Sequence, residues 1–167
     1  MIHLYYGNGK GKTTAAMGLA LRCAGSGKRL LMFQFLKGNS SSERSLTDNI
    51  IDVIKGKDNE KFIFNMNEEE KAEAAVFYTD KLREIDKIAD KYDMIILDEV
   101  IDAVNVGFVA EAELLAFTKK HREKAEIIIT GHNPSQKLIE ASDYVTEMRK
   151  IKHPFDNGTA ARKGIEY

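Results

Sequence analysis

The chain has no tryptophan, two prolines and a single cysteine in 167 residues, and each scarcity removes a class of answer. One cysteine, Cys23, closes no internal disulfide and builds no cysteine-rich metal site. It falls within apolar residues at helical spacing, where a buried thiol is expected. No apolar run reaches the ~18 residues that a membrane-spanning helix needs, so no membrane partner is expected. The first residues lack the basic flank and apolar segment of a secretory signal, which makes the cytoplasm the expected location. An excess of one charge is also missing: 25 basic and 26 acidic side chains are mixed along the chain for a net charge of −1. Without a basic or aromatic stripe, no nucleic-acid partner is expected. There is no arginine-rich lid segment either, of the kind small-molecule kinases carry.

What is present is an ordinary globular composition, 43% apolar and 31% charged, with length enough for one core. Residues 1–167 are therefore expected to form a single domain. Ile2 to Tyr6 reads as a strand stopped by Gly7, and a helix is expected from about Thr13 to Cys23. Leu30 to Leu36 is nearly continuously apolar, the pattern of a strand buried on both faces. Lys37 to Ser45 is polar and rich in glycine and serine, a predicted loop. Ile50–Ile54 and Phe62–Phe64 are short β-prone pieces. The longest helix is expected over Glu68–Tyr92, with Ala75, Thr79, Leu82, Ile85 and Ala89 as its apolar stripe. An apolar strand, Asp93 to Leu97, then ends on Asp98-Glu99. A helix around Ala110–Arg122, a strand over Glu126–Thr130 and a helix capped at Asn133-Pro134 follow, then a last strand near Asp143–Met148. Strands alternating with helices argue for an α/β fold with a mainly parallel sheet.

The strongest chemical signal is Gly7-Asn8-Gly9-Lys10-Gly11-Lys12-Thr13-Thr14, placed between the first strand and the first helix. Glycines let the backbone curl so that several N–H groups converge on phosphate oxygens. The helix start adds unpaired N–H groups and the positive end of its dipole. Lys12 brings a full charge, and the Thr13 hydroxyl can ligate magnesium. The spacing is a variant, since the glycine expected five residues before Gly11 is Tyr6. At the end of the later apolar strand, Asp98 and Glu99 supply the carboxylates a metal–nucleotide site requires. Strand, loop, helix and acidic strand together predict a three-layer P-loop NTPase (RecA-like) fold that binds ATP with Mg2+ or Mn2+.

A phosphate loop does not name a reaction. Other segments do more: Phe33-Gln34-Phe35-Leu36-Lys37-Gly38, Glu43-Arg44, Thr130-Gly131, Asp143-Tyr144-Val145-Thr146-Glu147-Met148, Lys152-His153-Pro154-Phe155 and the terminal Lys163-Gly164-Ile165-Glu166-Tyr167. With the loop and Leu97-Asp98-Glu99, the chain resembles the P-loop type of ATP:corrinoid adenosyltransferase, cob(I)alamin adenosyltransferase, over nearly its whole length.

The resemblance implies an enzyme that transfers the 5′-adenosyl group of ATP to the Co(I) centre of a corrinoid and releases triphosphate. It implies a nucleotide held in reverse, with the loop on the terminal phosphate and C5′ left open to attack. Lys12 and Glu99 would be the catalytic residues, and Gly7 to Thr14 would bind ATP, with Lys10 assisting. Thr13 and Glu99 would hold the metal, with Asp98 behind them. Phe62, Phe64 and His153 would face the corrinoid, with Phe64 standing where tryptophan is usual. His132 stands where arginine is common, and Tyr6 where a small residue or threonine is usual. An electron-donating flavoprotein and a second copy of the chain are the implied protein partners. Two other readings stay open from the residues: a nucleotide-gated corrinoid-binding module, and an unrelated P-loop ATPase.

Overall fold

The computed structural model describes residues 1–36, 50–57 and 63–165. The predicted loop at 37–45, Phe62, and the terminal Glu166-Tyr167 lie outside the described residues.

Its centre is one sheet of β1 (Ile2–Tyr6), β2 (Leu30–Gln34), β3 (Asp52–Val53), β4 (Met94–Asp98), β5 (Glu126–Gly131) and β6 (Tyr144–Glu147). The strand order is β3-β2-β4-β5-β1-β6, and every pairing is parallel. Parallel strands need crossovers, and these are α1 (Lys12–Ala24), α2 (Glu68–Ile88), α3 (Val100–Asn105), α4 (Glu111–His121) and α5 (Gln136–Ala141). β5 separates β1, which leads into the glycine loop, from β4, which carries the acids.

Because side chains alternate along a strand, the sheet has two apolar faces. Leu30, Met32, Met94, Ile96 and Ile128 meet Ala16, Met17, Ala20 and Cys23 of α1 on one of them. Cys23 is buried there as expected, and burial pushes its thiol above the ordinary range. Leu31, Phe33, Ile95, Leu97, Ile127 and Ile129 turn to the other face, where α2 to α5 contribute Tyr78, Leu82, Ile85, Ile101, Leu114 and Leu138. β2 and β4, so covered on both sides, carry no polar residue until their C-terminal ends.

α2 starts at a reciprocal cap: the Asn67 side chain accepts from the Glu70 N–H at 2.8 Å, and the Asn67 N–H donates back to Glu70 at 3.0 Å. Such a cap contributes about 1 kcal/mol. Its buried stripe is Ala74, Tyr78, Leu82 and Ile85, so the expected Ala75 and Thr79 give way to their neighbours in the first half. The reason is Tyr78, whose ring stacks against Phe108 and lies beside Phe33 and Phe35 while its hydroxyl accepts from the Leu36 N–H.

Other boundaries differ from expectation. β2 stops at Gln34, because Leu36 turns to φ 58°. The long helix ends at Ile88 and finishes as a 3-10 turn, Ala89–Lys91. α3 begins directly after Glu99 and was not foreseen. The cap of α5 is Ser135, whose hydroxyl accepts from the Leu138 N–H at 3.3 Å, rather than Asn133 ahead of the proline.

Candidate active site

Where the strands end, the α1 face of the sheet changes character. One alternation step beyond Met32, Ile96 and Ile128 stand Gln34, Asp98 and Thr130, all buried. Gln34 and Asp98 are partners in register on neighbouring strands. Thr13, in the first turn of α1, closes the group from above: its hydroxyl lies 3.0 and 3.2 Å from the two carboxylate oxygens of Asp98. The Thr130 hydroxyl donates to Asp98 at 2.7 Å and accepts from the Glu99 N–H at 2.9 Å. The Gln34 amide adds a weaker donor at 3.3 Å. A carboxylate with no exposed surface is tolerable only as an acceptor of several such bonds.

The glycine loop crosses this layer between β1 and α1. Gly7 has φ 112° and Gly11 φ 117°, conformations that side chains disfavour. Lys12 folds its ammonium into the curve of the loop, donating to the carbonyls of Gly7 at 2.8 Å and Gly9 at 3.0 Å. Glycine at position 9 has a second cause, a close neighbour. A Cβ there would stand 2.7 Å from the Met148 carbonyl oxygen and 2.9 Å from the carbonyl carbon of Arg149. The segment after β6 thus lies on the loop. The Gly9 N–H donates to Met148 at 2.7 Å, and the Lys150 N–H donates to the Asn8 side chain at 2.9 Å. Lys10 reaches the tail as well, donating to the Ile165 carbonyl. Thr14 is exposed on the outer side of α1.

Glu99 takes a left-handed backbone, φ 59°, at the junction of β4 and α3. Strained non-glycine positions of this kind gather at functional sites. The neighbouring β5 terminus is equally tight, since a Cβ on Gly131 would come within 2.5 Å of the Ile101 side chain. His132, next along, has its Nδ1 3.0 Å from both carboxylate oxygens of Asp102 on α3, and its carbonyl accepts from the Gly7 N–H.

The aromatic pair is the main departure. Ile63–Asn65 is a 3-10 turn leading into the α2 cap, with Met66 N–H on the Ile63 carbonyl, so Ile63 and Phe64 are not the β-prone piece expected there. Phe64 is 82% exposed, which rules out the core packing that alternation allowed. His153 is half-buried and caps another 3-10 turn, Pro154–Asn157, its Nδ1 accepting from the Phe155 N–H. Among the described residues, no cluster of three histidine, cysteine or acidic side chains forms a metal cage. Sites that share a metal with phosphate oxygens do not need one.

The family model described as ATP:corrinoid adenosyltransferase BtuR/CobO/CobP matches residues 1–167. The chain belongs to that family. Relatives agree with it. A corrinoid adenosyltransferase of Escherichia coli K12 is 32% identical over 178 residues, spanning 100% of this chain and 85% of the relative. Corrinoid adenosyltransferase CobA of Salmonella typhimurium is 32% identical over 170 residues with the same coverage. A Pseudomonas aeruginosa corrinoid adenosyltransferase is 30% identical over 174 residues, covering 98% of this chain and 82% of its own.

For this adenosyltransferase the sequence reading brought together the loop, Asp98 and Glu99 but passed over Thr130 as a site residue. Its signal was available: Thr130 ends Ile127-Ile128-Ile129 as Asp98 ends Ile95-Ile96-Leu97. The seating of Met148–Lys150 on the loop had no such signal, because it is a contact between segments 140 residues apart, as in the 142-residue separation of Asn8 and Lys150.

Proposed function

We propose that residues 1–167 act as one catalytic domain that transfers the 5′-adenosyl group of ATP to a Co(I) corrinoid. The cobalt–carbon bond forms as the C5′–oxygen bond breaks, cobalt passes from Co(I) to the Co(III) level, and the electron pair leaves with triphosphate. Co(I) is itself a strong nucleophile, so no base need activate it. The demands on the protein are to hold C5′ in line and to stabilise a highly charged leaving group. The observation that carries this reading is the Lys12 ammonium held within a glycine loop that sits directly over the Thr13–Asp98–Thr130 group.

The loop N–H groups, Lys12 and the start of α1 would grip the phosphates from Gly7 to Thr14, with the terminal phosphate deepest. Lys10 is tied to the tail and would join only by releasing Ile165. The residues also fit a divalent ion. The Thr13 hydroxyl donates to Asp98, a carboxylate stands beside it, and a buried carbonyl oxygen of Gln34 has no partner among the described residues. Thr13 and Glu99 would hold Mg2+ or Mn2+, with Asp98 orienting Thr13. When bound, that ion would supply positive charge to the departing triphosphate. Phe64, exposed, and His153 would border the corrinoid, together with Phe62.

Reduced cobalamin, ATP and Mg2+ under strict anaerobiosis test the proposal. Absorbance should report an adenosylated corrinoid, and phosphate analysis should find triphosphate. Orthophosphate release indifferent to corrinoid would overturn it in favour of an ATPase, and ligand uptake without product in favour of a binding module. A flavoprotein supplying the electrons for Co(I), and pairing with a second copy, complete the reading.

A further inference from the structure

Gln34 is the one member of the buried polar layer that is only half satisfied. Its side chain is 3% exposed, and its Oε1 has no hydrogen-bond partner among the described residues. The orientation of the amide is set by its neighbour. Asp98 accepts from two hydroxyls and is acceptor-only as a carboxylate, so the amide must turn its NH2 group toward it. Oε1 is then left on the other branch of the amide, buried and without a partner among the described residues. An orphaned buried carbonyl is costly, and it persists where something completes it in the working state.

We propose that Gln34 is a positioning residue for the metal's water shell, its Oε1 accepting a hydrogen bond from a water bound to the divalent ion. This rests on the metal reading given above. The chemistry of the donor fits: a divalent ion polarises its water ligands into strong donors, and Mg2+ retains several of them when only one or two protein groups bind it. Thr13 and Gln34, both bonded to Asp98, would then serve the ion together, one through its oxygen and one through a water. Gln34 touches no reacting atom and acts through the ion's geometry alone.

The test measures ATP binding by calorimetry in EDTA and in excess Mg2+, without corrinoid, so that nothing turns over. In the native protein Mg2+ should strengthen binding. Gln34→Met keeps the volume and removes the acceptor. It should lose about tenfold of that strengthening, the scale seen for partners behind metal ligands, while affinity in EDTA stays unchanged. Gln34→Asn keeps both ends of the amide, one methylene shorter, and should retain more of the Mg2+ effect than Gln34→Met. Equal Mg2+ strengthening in Gln34→Met and the native protein would overturn the inference. So would an equal loss in EDTA and Mg2+, or a Gln34→Asn variant as unresponsive as Gln34→Met. Should Gln34→Met not fold, Gln34→Leu takes its place under the same rule. A native protein indifferent to Mg2+ would instead remove the metal reading itself, and this inference with it.

Discussion

Asp98 and Phe64 invert the usual partition of side chains. The acid has no exposed surface, and the phenyl ring is 82% exposed. Asp98 is stable in its place because Thr13, Thr130 and Gln34 all donate to it, and because the strands beneath are apolar and fixed. That end of the site is built in advance, so its polar groups need little rearrangement to receive charge. Phe64 sits on a 3-10 turn just before α2, with most of its ring in water. Leaving a ring of that size in water forgoes roughly 2 kcal/mol of burial. One exposed ring is ordinary on a surface; under the proposed function this one would offer the corrinoid an apolar contact. One end would then hold its ligand by polar groups already in place, and the other by surface covered only in the complex.

That contrast breaks if the loop end tolerates loss of charge. Lys12→Ala should therefore have the largest effect, lowering kcat about 100-fold to 1000-fold, on the order of 3 kcal/mol, as for other groups aimed at developing negative charge. Thermal unfolding without ligand should fall far less than the rate, since the bonds from the ammonium to the Gly7 and Gly9 carbonyls lie within the loop itself. A rate within a few-fold of native would show that the loop's N–H groups suffice.

Asp98→Asn comes next. It keeps the shape but replaces an acceptor of hydroxyl protons with a group that also donates. With its amide oxygen in the place of Oδ1 both hydroxyls keep an acceptor, but its NH2 group meets that of Gln34 and the negative charge is gone, so the Mg2+-dependent part of ATP affinity should fall about 10-fold to 100-fold. Calorimetry with and without Mg2+ reads this directly. An unchanged affinity would mean that Asp98 serves only to hold α1 on the sheet.

The loop end was legible in sequence because its residues are contiguous, or stand at the ends of apolar runs whose period announces a strand. Gly7 to Thr14 and Met94 to Glu99 each carry their own geometry. The all-parallel sheet followed from the same alternation. What escaped lies in long-range contact. Gly9 is needed partly because Met148 and Arg149 lie on it, and Tyr78 displaces Thr79 from the core because Phe108 and two β2-side phenylalanines gather around it. The failed strand at Ile63–Asn65 has a local cause that β propensity hides: the Asn67 cap sets the chain's entry into α2, and a 3-10 turn leads into it.

Phe64→Ala has the smallest expected effect and is the sharpest test of the other end. Because the ring is exposed, its removal should leave unfolding stability within about 0.5 kcal/mol, as for surface positions generally. ATP affinity should also hold if the ring serves the corrinoid alone. The KM for reduced corrinoid should rise several-fold, about 1 kcal/mol of lost apolar contact, with kcat for saturating corrinoid less affected. The split matters more than the size. A drop in stability would show that the ring packs into the fold after all, and a loss confined to ATP would place it on the nucleotide. A rise in corrinoid KM alone would support the proposal that the exposed ring borders the corrinoid.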